Sequence, residues 1–103
     1  MIYILATQNV LPGKMAEYEA ASKEMAPVRK KVGMNLVGAW RGYSGNINQV
    51  FSLFAYKDLA EFQKMRETRQ KDPEYMKGAA KMQTLISDSS WSFIEPVSWS
   101  PMK

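Results

Sequence analysis

The sequence predicts an α+β domain of ferredoxin-like βαββαβ order with a four-stranded antiparallel sheet. Three observations predict it. Runs of β-formers and runs with helical spacing alternate in that order along one short chain. A turn-forming cluster joins the two middle strands directly. The length of 103 residues suits one domain with one core, so residues 1–103 are read as a single domain.

Ile2 to Val10 is apolar on both faces and rich in β-formers, which predicts strand one. Pro12-Gly13 breaks it. Helix one follows from about Lys14 to Lys31. Met15, Tyr18, Ala21 or Ser22, Met25, Val28 and Val32 recur at three- and four-residue steps and define its buried face. Glu17, Lys23, Glu24, Arg29, Lys30 and Lys31 lie away from that stripe. The basic trio at 29–31 suits the negative end of the helix dipole, and Gly33 is a suitable stop. Pro27 inside the helix has no N–H for the Lys23 carbonyl, which predicts a kink.

Asn35 to Arg41 reads as strand two and Gln49 to Tyr56 as strand three, joined through Gly42-Tyr43-Ser44-Gly45-Asn46 as a hairpin. Asp58 with Glu61 resembles a capping box opening helix two, whose buried edge is read as Leu59, Phe62, Met65 and Arg66. Asp72-Pro73-Glu74 restarts a helix with an apolar face of Tyr75, Met76, Ala79, Met82 or Gln83, and Ile86. Trp91 to Glu95 is read as the last strand, followed by a tail from Val97 to Lys103.

Composition excludes several chemistries. With no cysteine, disulfides, thiolate metal sites and cysteine nucleophiles are ruled out. With no histidine, a Ser-His-Asp triad cannot be built from this chain or its copies. No Asp/Glu pair has the spacing of a metal site or of glycoside chemistry, and no glycine motif suits phosphate. The expectation is therefore no metal and no cofactor. The net charge of +4 is too mild to imply nucleic acid. RNA-recognition domains share this element order, but strand three here carries no Lys or Arg, which argues against RNA. No apolar run approaches the ~20 residues of a membrane span. The first residues show neither a basic region nor a cleavage site, so the expected location is cytoplasmic.

Both helices should pack on one face of the sheet, leaving the other to water. An exposed face should alternate apolar with polar residues. It does not. Strand one offers Ile2, Ile4 and Ala6 against Tyr3, Leu5 and Thr7; strand three offers Val50, Ser52, Phe54 and Tyr56 against Phe51, Leu53 and Ala55. By the same two-residue period, strand two offers Leu36 and Trp40 against Val37 and Ala39. Such a face exceeds the ~300–600 Å² apolar patch usual for a monomer. A symmetric homodimer, sheet against sheet, is the simplest solution. The plainer alternative folds the tail back over the sheet, but seven residues cannot cover four strands.

The ordered set Met1-Ile2-Tyr3 with Leu5 and Thr7, Leu11-Pro12-Gly13-Lys14, Leu36-Val37-Gly38-Ala39-Trp40, Asn48-Gln49-Val50, Leu53 to Ala60, Asp72-Pro73-Glu74-Tyr75 and Ser100-Pro101 resembles the NIPSNAP family. That family lies within the dimeric α/β-barrel superfamily. The resemblance implies a homodimer whose sheets form a barrel, with a ligand cleft between sheet and helices. The wider superfamily includes cofactor-free monooxygenases, haem-degrading enzymes, isomerases and dehydratases, and fold alone does not choose among them. The family usually has Glu, Arg and Tyr where this chain has Ile4, Ala6 and Gln8, and often His where it has Ser52. The resemblance therefore implies that an ionisable cluster has been exchanged here for an apolar one.

Candidate ligand contacts are Gln8, Trp40, Ser52, Phe54, Tyr56 and Arg66. Trp40, Phe54 and Tyr56, with Trp91, suit a pocket that stacks a flat apolar ligand; the plainer reading is core and dimer packing. Gln8, Ser52 and Tyr3 could orient such a ligand through hydrogen bonds. Arg66 and Arg69 could clamp a carboxylate or enolate; the plainer reading is a solvated basic face. The expected role is a dimer binding a small apolar or aromatic ligand. The competing roles are a cofactor-free monooxygenase or isomerase acting on a small aromatic or polyketide-like substrate, and a pure interaction module.

Overall fold

The computed structural model describes residues 1–102; Lys103, the last residue of the expected tail, lies outside them. The elements run β1 (Ile2–Val10), α1 (Met15–Lys31), β2 (Leu36–Arg41), β3 (Gln49–Tyr56), α2 (Leu59–Gln70), α3 (Pro73–Gln83) and β4 (Ile86–Ile94). The strands form one antiparallel sheet in the order β2-β3-β1-β4, the ferredoxin-like arrangement.

Local chemistry sets the boundaries. Asp58 caps α2 by accepting from the Glu61 N–H, while the Glu61 carboxylate accepts from the Lys57 N–H. Asp72 caps α3 through the Tyr75 N–H, with Pro73 in the first turn. Gly33 follows α1 at φ +92°, a left-handed conformation that closes the helix. At Gly42, an added Cβ would lie 2.1 Å from the Asn46 carbonyl oxygen, so the β2–β3 turn closes only over a glycine. The α1 assignment runs unbroken through Pro27.

Two clusters fill the space between sheet and helices. One joins Val10, Tyr18, Ala21, Val50 and Leu85. The other joins Ile4, Tyr56, Phe62 and Met65, with Phe62 edge-on to both Tyr56 and Phe93.

Four expectations are corrected. The last strand begins at Ile86 rather than Trp91 and ends at Ile94 rather than Glu95. Its polar run Ser87-Asp88-Ser89-Ser90 suits an edge strand, which keeps one side in water. Ile86 accordingly belongs to β4 and not to the face of α3. Leu59, Arg66 and Met76 are exposed, because α2 buries only Phe62 and Met65 and α3 buries no residue fully. Most consequentially, the β2–β3 register shifts between Leu36 and Gly38. The extra residue reverses the parity of β2, so Leu36 and Trp40 point to opposite faces.

Candidate functional site

The register explains why a cavity exists under the helices. Paired residues share a face, so rows of side chains run across the strands. Leu36, Phe54, Ile4 and Phe93 form one row of large side chains on the helix-covered face. The next row holds Ala39, Ser52 and Ala6, all small, before ending in Trp91. Helices α1 and α3 lie above this row. The missing volume is a cavity of about 210 Å³. Its floor is Ala6, Gln8, Val50, Ser52 and Phe54; its roof is Tyr18, Ser22, Met25 and Arg29 from α1 with Tyr75, Ala79 and Met82 from α3.

The walls are mostly apolar, with a few polar groups at defined places. The Tyr18 hydroxyl donates to Gln8 Oε1. Arg29 Nη2 donates to the Ser22 carbonyl at 2.9 Å. Burial raises the pKa of the Tyr18 hydroxyl, and the nearby Arg29 charge opposes that rise. Burial lowers the pKa of Arg29, with Tyr18 and Tyr75 opposing. A wider, open cleft of about 620 Å³ adjoins the cavity between α1 and β2, sharing Tyr18, Ser22, Arg29, Ala39 and Val50 with it.

The structure brings together three of the six residues singled out from sequence. Gln8, Ser52 and Phe54 line the cavity. Tyr56 does not reach it: it is 1 % exposed and packs against Phe62, and burial pushes its hydroxyl pKa up to about 12. Trp40 borders the open cleft at the sheet edge but pairs with Phe51, on the face away from Ser52, because of the β2 bulge. Its indole lies over Gly38, where an added Cβ would meet the ring at 2.7 Å. Arg66 stands on the exposed side of α2, one position beyond the buried Met65. Among the other suggestions, Tyr3 lies on the opposite sheet face and Arg69 stacks on Tyr75, its guanidinium carbon 5.8 Å from the ring centre.

Sequence reasoning missed Arg29, which it placed on the solvated side of helix one, and Ala39. The signals were present. Arg29 follows the apolar position Val28 and sits four residues after Met25, so it borders the buried stripe. Gly38 inside a strand is a mark of a bulge.

On the opposite face, the tail after β4 bends back. Ser100 and Met102 line a shallow pocket of about 150 Å³ with Tyr3, Leu53 and Ile94. Tyr3 is buried, whereas Trp40 is 57 % exposed and Trp99 in the tail is 81 % exposed. The tail thus covers one corner of this face and leaves the β2 side open. Among the described residues, no group of acidic side chains is arranged to hold a metal ion. No helix among them is long and apolar enough to cross a membrane.

With this geometry established, comparison with known proteins decides the family. The NIPSNAP family model matches residues 3–101, almost the whole chain. This chain belongs to the NIPSNAP family.

Solved structures agree on the fold. A NIPSNAP family protein from Agrobacterium tumefaciens is 22 % identical with a TM-score of 0.91, covering 99 % of this chain and 98 % of that one. An uncharacterized NIPSNAP domain protein from Burkholderia xenovorans is 22 % identical with a TM-score of 0.88, covering 98 % and 99 %. A protein from Bordetella bronchiseptica described as an antibiotic biosynthesis monooxygenase is 16 % identical with a TM-score of 0.75, covering 93 % and 96 %. At these identities the likeness is one of fold. No curated protein matches the chain. The NIPSNAP match gives the family, and the structural likeness gives the fold.

Proposed function

We propose that this NIPSNAP-family chain works as a homodimer that binds a small apolar or aromatic molecule between its sheet and helices α1 and α3. The observation that carries the ligand reading is the row Ala39-Ser52-Ala6. Three adjacent strands place small residues side by side beneath the helices, leaving about 210 Å³ unfilled. The cavity is partly open to solvent, and an apolar ligand entering it would take its own apolar surface and that of the walls out of water. It lies below the ~300–1,000 Å³ of drug-sized pockets, which favours a small ligand. Gln8 and Ser52 supply the few polar groups that fix orientation.

The dimer reading rests on the other face. Leu5, Phe51 and Leu53 are only half-buried there, and the exposed Trp40 ring lies over Gly38. Burying ~1,000 Å² of such surface would contribute up to ~25 kcal/mol gross before association and ordering costs.

A second reading, a cofactor-free monooxygenase or isomerase, is supported by three ionisable groups at the cavity, Tyr18, Arg29 and Tyr75, of which the Arg29 guanidinium suits a deprotonated substrate. Native mass spectrometry of protein taken directly from cell extract tests the first reading. It should show a dimer carrying a small molecule. Ser52→Leu, which fills the cavity floor, should yield a folded dimer without that molecule. A bare wild-type dimer would contradict ligand binding, and oxygen uptake with quinols or anthrones would favour the enzyme.

A further inference from the structure

Arg29 is the one charged side chain lining the cavity among the described residues; no Asp, Glu or Lys joins it there. Its position is specific. It lines both the cavity and the wider cleft, and so stands where the two meet. Four exposed cations, Lys14, Lys31, Lys81 and Arg41, have a carboxylate partner within 4 Å; Arg29 is half-buried at the cavity and forms no ion pair among the described residues. Its one hydrogen bond goes to a neutral group, the Ser22 carbonyl.

A half-buried cation of this kind has lost part of its hydration without gaining an opposite charge. A guanidinium has five N–H donors in a planar fork that matches a carboxylate. Tyr18, also at the cavity, already donates its hydroxyl to Gln8, so it leaves Arg29 unneutralised. Beyond Arg29, Met25, Phe54 and Met82 offer apolar walls. The cleft outside carries Lys23, and Arg41 paired with Glu19 at 3.4 Å, an excess of one positive charge at the mouth. That excess favours entry of an anion.

We infer that Arg29 is the anchor for the charged end of the ligand, and that the ligand class is a small monocarboxylic acid with an apolar body. The acid group sits at the junction of cleft and cavity on the Arg29 fork, and the apolar body lies over the Ala39-Ser52-Ala6 row. This inference rests on the cavity reading above and adds the charge of the occupant.

Calorimetric titration with 3-phenylpropionate and its neutral amide, 3-phenylpropionamide, tests it on the full chain. The wild type should bind the acid about tenfold or more tightly than the amide, the range expected for charge-assisted hydrogen bonds. Arg29→Gln should bind the amide within about twofold of wild type and bring the acid down to the amide's affinity. Equal binding of acid and amide by the wild type would overturn the anchor while leaving the cavity reading intact. That comparison needs no variant, so it stands even if Arg29→Gln folds poorly. Equal loss of both compounds in a folded Arg29→Gln would also overturn it, showing that Arg29 only supports the Ser22 carbonyl. Binding of neither compound to the wild type would overturn both readings.

Discussion

The two faces of the sheet are built from similar residues and meet different surroundings. On the helix-covered face Ile4, Val50 and Tyr56 are buried by the chain's own helices. On the other, Leu5, Phe51 and Leu53 stay half-buried, and only the corner near Tyr3 is closed, by the bent-back tail. The covered face carries the defect, a row of small residues, and leaves Trp91 and Phe93 exposed at its β4 edge; the open face exposes Trp40 at its β2 edge. Apolar pattern alone therefore marks what avoids water. It does not tell which face the chain covers itself, nor where the cover fits poorly.

Four substitutions test the contrast, in order of expected effect. Phe62→Ala removes the ring that joins Tyr56, Phe93 and Trp91 on the covered side. It should cost about 3–5 kcal/mol in urea unfolding. A loss under 1 kcal/mol would mean that this face is not the core.

Tyr56→Phe should act through pH. The folded pKa of about 12 lies above the unfolded value near 10. The preference for the neutral phenol is thus present in full below pH 10 and is lost as pH rises towards 12. Across that window the wild type should lose up to about 2–3 kcal/mol that Tyr56→Phe does not. Parallel unfolding curves for the two proteins at alkaline pH would contradict the burial.

Trp40→Ala should leave each chain folded but weaken the proposed dimer by about 2 kcal/mol, roughly thirtyfold in dissociation constant, as expected for a large aromatic buried at an interface. Concentration-dependent sedimentation reads this directly.

Gly78→Ala should show the smallest stability change, within about 1 kcal/mol, because a better helix former is offset by crowding. The new Cβ would meet Met25 Sδ at 2.1 Å, and the cavity that Met25 lines offers it room to yield. Affinity for 3-phenylpropionamide should fall by about tenfold, roughly 1.4 kcal/mol.

Much of this was legible in the residues. β1 and β3 are long, strongly patterned strands, and Asp58 and Asp72 announce α2 and α3 by their capping chemistry. The β4 edge was harder, because Ser87 to Ser90 look like a loop until β1 supplies their ladder partners. The site was legible only where alternation held. Gln8, Ser52 and Phe54 lie on β1 and β3, whose pairing runs without a bulge, so all three share the cavity face. The single extra residue at the β2 bulge exchanged Trp40 for Ala39 on the cavity face, turning an expected aromatic wall into empty space. Arg29 escaped notice because helical spacing identifies a stripe better than its borders. Arg66 shows the converse, a border position that the helix turns outward.

The account depends most on a second layer over the open sheet. Sedimentation equilibrium of the purified full chain at low micromolar concentration tests it. The expected result is a single species of twice the 11.7 kDa chain mass, shifting towards single chains only on further dilution. A stable single chain persisting to the highest soluble concentration, with Trp40 still accessible to a water-borne quencher, would contradict it.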